Sequence, residues 1–237
     1  MKKINILILA LLIISTNIAC AQSKQTRDEF EVSNFTAIKS NIVGNIEIKQ
    51  SSQTSVVAEG DEEILDLLEV KIENGTLVFK LSERGFKLFK NKKNRLTIFV
   101  NTPMLTKLES DGVGNIAVKG NFETPELTVI SEGVGNIYAE NMNIGSLKID
   151  SEGVGNISFS GKAKSVEVKS EGVGNINTQN LITANATVKS EGVGNVSCFS
   201  SDYMKVDSEG VGNVTYYGNP KTTNLNKKGI GKIKPGD

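Results

Sequence analysis

The sequence predicts an all-β chain: a single-stranded parallel β-helix of about 20-residue coils, right-handed by analogy with other β-helices, with a small β-hairpin or sheet insertion near its N-terminus. Three observations carry this. The heptad Ser131-Glu132-Gly133-Val134-Gly135-Asn136-Ile137 recurs almost letter for letter, with starts at Ser110, Ser131, Ser151, Ser170, Ser190 and Ser208. A fixed period near 20 marks a stacked-repeat architecture. Around each copy the apolar residues alternate, Leu127 with Val129 and Ile137 with Ala139 for instance, and period two over four to six residues is the pattern of half-buried strands. Finally, the repeats contain no stretch long or periodic enough for a helix.

Two worn copies extend the series, Ser40-Asn41-Ile42-Val43-Gly44-Asn45-Ile46 upstream and Lys227-Lys228-Gly229-Ile230-Gly231-Lys232-Ile233 downstream. The wide gap from Ser40 to Ser110 implies an insertion after the first coil. Competing repeat classes fit less well. Leucine-rich repeats need a returning helical segment, and Asn141-Met142-Asn143-Ile144-Gly145 is too short and polar for one. Hexapeptide coils step in sixes, and the calcium β-roll nonapeptide is absent. A parallel β-helix tolerates coils that differ by a residue or two, because the extra residue goes into a corner.

Stacking in register, about 4.8 Å per coil, gives each heptad position a column. Asn115, Asn136, Asn156, Asn175, Asn195 and Asn213 form one, each amide able to bond the amides above and below, as in cross-β ladders. The paired glycines suit corners that need positive φ or close backbone approach, the valine between them is expected to point inward, and the Ile or Val after Asn lines the core. Asp111, Glu132, Glu152, Glu171, Glu191 and Glu209 form an acidic column in which neighbours repel by about 1 kcal/mol before screening. Lys169 and Lys189 offer partial compensation, whereas Asp150 and Asp207 stand at the equivalent place in other coils. The column reads either as carboxylates splayed into solvent or as a ligand or cation track, with Ca²⁺ the natural ion for stacked carboxylates.

At the start of the chain, Met1-Lys2-Lys3 and the apolar run from Ile4 to Ile14 read as an export signal, too short to span a bilayer. Residues 1–21 form that signal if cleavage follows Ala21. Alternatively Ile18-Ala19-Cys20 is a loose lipobox, the signal is 1–19, and Cys20 carries the lipid that anchors the chain to a membrane. The domain proper is placed at 30–237, with the insertion at 54–101 and the repeats at 110–237. Cys198 reads as a small core residue, since the chain has no His to serve as its base.

Within residues 30–60 strands are expected from Phe30 to Lys39, Ile46 to Lys49 and Val56 to Glu59. A helix of one or two turns follows over Asp61 to Leu68, with acids at its N-terminus. Asn74-Gly75 is a strong hairpin signal between Glu69–Ile72 and Leu77–Leu81, and Arg95 to Val100 reads as a third strand of that hairpin. The insertion would cap the open end of the stack or stand beside it. Between Arg84 and Arg95 lies a basic stretch containing Phe86, Leu88 and Phe89, read as a solvated hairpin loop with its aromatics packed down, or as a contact for anionic lipid.

Acids and bases balance at 27 each, so no global field draws nucleic acid. No His, catalytic dyad or phosphate-binding loop is present, and the acids repeat uniformly where an active site needs one coil to differ. The recurring Ser-Glu-Gly-Val-Gly-Asn-Ile, the Phe35-Thr36-Ala37-Ile38 strand and the Asn74-Gly75-Thr76-Leu77 hairpin together resemble the autotransporter-adhesin head GIN domain family of exported bacterial proteins, over roughly residues 30 to 218. The resemblance implies a β-helical fold and a cell-surface adhesion role, and supplies no catalytic residues.

The expectation is therefore an exported cell-envelope or cell-surface binding protein, without catalytic activity or cofactor, whose partner is a glycan polymer or a protein. A carbohydrate-active β-helix enzyme and a purely structural envelope component are the alternatives.

Overall fold

The computed structural model describes residues 25–89 and 94–236. The strands are β1 (Gln25–Phe30), β2 (Ala37–Asn41), β3 (Asn45–Gln50), β4 (Ser55–Asp61), β5 (Leu68–Glu73), β6 (Thr76–Leu81), β7 (Leu96–Thr102), β8 (Lys107–Ser110), β9 (Ile116–Lys119) and β10 (Phe122–Ser131). They continue with β11 (Ile137–Ser151), β12 (Ile157–Ser170), β13 (Ile176–Thr178), β14 (Leu181–Ser190), β15 (Val196–Phe199), β16 (Tyr203–Ser208), β17 (Val214–Tyr217), β18 (Thr222–Lys227) and β19 (Ile233–Pro235). Two short helices, α1 (Glu62–Leu65) and α2 (Glu83–Leu88), interrupt the insertion.

The repeats stack as a β-solenoid, one coil per heptad, because equal spacing lets identical side chains meet. Before the heptad, β8, β10, β11, β12, β14, β16 and β18 pair in parallel, Val129 opposite Leu108 and Ile149, then Val168, Val188 and Val206 in succession. After it, Ile116, Ile137, Ile157, Ile176, Val196, Val214 and Ile233 do the same. The heptads themselves are joined by single parallel bridges, Val113 to Val134 to Val154 and on to Ile230. Both apolar columns are essentially dry as far as Val214, and each fully buried Val, Ile or Leu contributes about 1.5–3 kcal/mol.

The worn first copy closes directly on the repeats across the insertion. β2 pairs with β8, β3 with β9, and Val43 with Val113. The intervening residues continue both piles beneath that first coil, with β6 under β2 in parallel and β7 under β3 in parallel. The direction then reverses: β5 runs antiparallel to β6, β4 to β7, and β1 to β4. Ile64, Leu77, Phe79 and Ile98 lie under the first coil's Ile38, Ile42 and Ile46 in one continuous core. Apolar surface that a stack end would expose is thereby covered.

Four expectations for this region are corrected. The strand expected from Phe30 to Lys39 is broken at residues 31–36, because β1 belongs to the pile that contains β4 whereas β2 joins β6 and β8, and the chain must cross between them over buried Phe35. The helix over Asp61 to Leu68 shrinks to α1, because Leu68 already opens β5. Arg95 to Val100 is not a third strand of the hairpin: β7 lies between β3 and β4, where Leu96, Ile98 and Val100 can face the core. The basic stretch is not all loop, since Ser82 caps α2 by accepting the Gly85 N–H (3.3 Å), a pairing of the kind that starts helices. Phe86, Leu88 and Phe89 do pack against the core. Residues 90–93 of the same stretch lie outside the described residues.

The hairpin turn follows its sequence. Asn74 (φ 50) and Gly75 (φ 75) both take the left-handed region, as a two-residue turn matching strand twist requires.

Candidate functional site

In-out alternation does not stop at the heptad. With Ile157 inward, Gly155, Gly153 and Ser151 take the inward parity and Asn156, Val154 and Glu152 the outward one, and the same holds in the other repeats. Ser131, Ser151, Ser170, Ser190 and Ser208 are accordingly buried. At the two glycine positions the chain passes so close to the coil below that no side chain fits. A Cβ on Gly153 would lie 2.2 Å from the Gly133 carbonyl oxygen, and one on Gly155 1.8 Å from that of Gly135.

The valines therefore do not point inward. Val113, Val134, Val154, Val173, Val193 and Val211 are 47–51% exposed, and Ile230 is 74% exposed. They form a ridge along the coil axis, bordered by bare glycine backbone, with the acidic column on one side and the asparagines on the other. Burial of the Ile column and sterics at the glycines together force this outcome, and alternation counted through the glycines would have revealed it.

The asparagines form a directional ladder. Asn156 donates both its backbone N–H and its side-chain Nδ2–H to Asn136 Oδ1 (2.9 and 3.0 Å), and Asn136 does the same to Asn115 (3.1 and 2.8 Å). Asn175, Asn195 and Asn213 repeat the arrangement. Asn45 begins it beneath Asn115, and the Lys232 N–H ends it on Asn213 Oδ1. Every Oδ1 so engaged accepts a backbone donor that the corner would otherwise leave to water. Asn156→Ala removes the acceptor for two donors of Asn175 in a solvated position, so a loss of about 1–2 kcal/mol is expected, read as a lower urea midpoint with an unchanged m-value.

The acidic column is unevenly neutralised. Lys39 binds both Glu109 and Asp111, Lys169 binds Glu171, Lys189 binds Glu191 and Lys228 binds Glu209. Among the described residues Glu132 and Glu152 have no ion-pair partner. The Asp111 carboxylate below Glu132, with some burial and Glu152 above, holds its carboxyl above the usual range. Asp150, Glu152 and Glu171 bring one carboxylate oxygen each within 4.8 Å of one another. The Lys169 ammonium sits among them, 3.9 Å from Asp150 and hydrogen-bonded to Glu171, so a divalent ion would have to displace it.

At the base of the column the charges matter to stability. Hydrogen bonds from Lys39 and then Lys107 hold the Glu109 carboxyl below the usual range, and Glu109 and Asp111 hold Lys39 well above its own. Lys39→Met should cost about 1–2 kcal/mol at neutral pH, since the Glu109 and Asp111 side chains are only 17% and 19% exposed. A depressed carboxylate stabilises the fold above its unfolded pKa of about 4.3 and loses that contribution as pH falls through the folded value. The gap in melting temperature between wild type and variant should therefore narrow on acidification below about pH 4.

The profile of the family described as "Putative auto-transporter adhesin, head GIN domain" matches residues 34–220. The chain belongs to this head GIN family. A solved structure described as a putative adhesin from Bacteroides fragilis NCTC 9343 is 30% identical, with a TM-score of 0.84 over 90% of this chain and 98% of that one. Two further structures share the fold at lower identity, both from Parabacteroides distasonis ATCC 8503. One, described as a putative lipid binding protein, is 18% identical with a TM-score of 0.70, covering 90% of this chain and 97% of that one. The other, a putative adhesin, is 19% identical with a TM-score of 0.62, covering 90% and 98%. No curated protein matches the sequence.

Membership in an adhesin family directs attention to surface rather than to pockets. In this head GIN chain the lone described thiol, Cys198, is fully buried, and burial pushes its pKa up to about 12, so it is inert as a nucleophile. Cys20, the expected lipid-anchor residue, and the expected export signal lie outside the described residues. No helix among the described residues is long and apolar enough to cross a membrane.

Proposed function

We propose that the chain is an exported cell-envelope or cell-surface adhesion protein that binds through the repeated face of Glu, Val and Asn columns and performs no reaction. The valine ridge carries this reading. Seven aliphatic side chains stand in one row where the fold asks only for a residue that tolerates extended backbone, and contiguous exposed apolar surface of this kind marks interaction sites. Repetition makes the face multivalent, so a weak contact at one coil is multiplied along the stack. The adhesin descriptions of the family and of the Bacteroides fragilis structure agree with it.

Residues 1–21 would direct export, or residues 1–19 with lipid added at Cys20; the partner is a surface glycan or a protein. The test is binding of the purified chain to isolated cell envelopes and to a glycan array, wild type beside Val154→Asp/Val173→Asp. Retention by wild type and loss in the variant supports the reading, and equal retention removes this face from it. Membrane fractionation of Cys20→Ala tests the anchor. Release of new reducing ends from an envelope polysaccharide would replace adhesion with carbohydrate-active catalysis.

A further inference from the structure

Resting on the adhesion reading, we propose that the partner met by this face is a second copy of the same chain, docked face to face with its coil axis pointing in the same direction. The first argument is spacing. The ridge presents methyl groups at about 4.8 Å intervals over six steps, and a surface that matches such a series at every coil is one built to the same repeat. Two such ridges can meet methyl to methyl, coil by coil, along their whole length.

The second argument is charge, and it selects the direction. The face carries an acidic column to one side of the ridge and an amide column to the other. A twofold axis parallel to the coil axis exchanges left and right, so the acids of each copy meet the asparagines of its mate. A twofold axis across the coil axis keeps left and right, so acids meet acids. The amides are equipped for the first arrangement. Each Nδ2 spends one hydrogen on the ladder and has a second to donate, while Glu132 and Glu152 are acceptors with no cation bound to them. Same-direction docking also sets each coil opposite its own equivalent, in an isologous interface.

The third consideration is area. The chain bends at both glycines of each heptad, so the contact is a narrow strip along the ridge, about 29 Å tall over six coil steps, at or below the lower end of specific interfaces. Such a contact forms weakly in dilute solution and strongly between crowded surfaces.

The test uses the chain with Cys20→Ala. Sedimentation velocity from low micromolar to near-millimolar concentration should show a reversible monomer–dimer equilibrium, weakened at least about tenfold by Val154→Asp/Val173→Asp. Val154→Thr/Val173→Thr, which keeps shape and cannot be dismissed as misfolded, should weaken it as well. Val113→Cys and Val211→Cys, near opposite ends of the ridge, should each form a disulfide-linked homodimer under mild oxidation, buried Cys198 staying silent. Cross-linking only in a mixture of the two cysteine variants overturns the shared direction. A wild type that stays monomeric throughout yet binds envelopes or glycans overturns the second copy as partner and leaves the adhesion reading standing. A wild type that does neither overturns both.

Discussion

Gly174→Ala should all but abolish the folded state, with a loss on the order of 4–5 kcal/mol, the range reserved for changes that the structure cannot absorb. Two costs combine. The position has φ +146, a region that an L side chain rarely enters. The new Cβ would also lie 1.8 Å from the Gly155 carbonyl oxygen and 2.6 Å from its carbon. That neighbour is backbone, pinned because Gly155 N–H donates to Val173 O and Val173 N–H to Gly153 O, both at 2.9 Å. Relief therefore requires prising two coils apart and breaking the bridges at that corner. Gly75→Ala is the control: its φ is +75 but nothing lies within 4 Å, so only the conformational cost of about 1 kcal/mol remains. Urea denaturation followed by far-ultraviolet circular dichroism distinguishes the two. A Gly174→Ala protein whose midpoint matches that of Gly75→Ala would mean that the coils are not in van der Waals contact at this corner.

Phe159→Ala is expected to cost about 3–5 kcal/mol, the usual range for emptying a buried aromatic site. Phe159 is 1% exposed and among the largest fully buried side chains. In its column it stands directly over Ala139, and Thr178, 1% exposed, occupies the same place in the next coil. Small residues above and below make the room that one ring fills, so truncation leaves a void that its neighbours are too short to collapse into. Phe159→Leu, keeping most of the volume, should cost about 1–1.5 kcal/mol. Thermal melts of the three proteins in one buffer check the order.

The two substitutions also separate what could be read in the residues from what could not. The solenoid was legible because its signal is arithmetic. Heptads about 20 apart, flanked by alternating apolar residues, leave little besides coils in register. The Asn74-Gly75 hairpin was legible because its chemistry is local. The direction of Val134 and its equivalents was not read correctly, because hydrophobicity suggested inward and the in-out alternation, which persists from Leu127 in β10 across the heptad to Ala139 in β11, said outward. Glycine hid that parity by contributing no side chain to either face. The insertion was harder for another reason. Whether β7 pairs with β6 or with β3 and β4 depends on contacts between residues 46–60 and 96–102, and nothing in the segment Leu96 to Thr102 itself names its neighbours. α2 was missed because Gly85 in its first turn and the lysines after it look like loop, whereas the Ser82 cap and the packing of Phe86 and Leu88 decide for helix. For the acidic face, the row and its compensation by Lys169 and Lys189 were visible in sequence, and the rest of its neutralisation was not, since Lys39 and Lys228 reach it from other coils.

Each repeat touches only the repeats directly beneath and above it, and at the ridge, the ladder and both core columns it offers them the same chemistry. Recombination between such near-identical segments could therefore lengthen or shorten the rod in whole steps of about 4.8 Å, creating no junction of a kind not already present. Reach becomes a quantised, heritable dimension of the molecule, adjustable without redesigning either extremity.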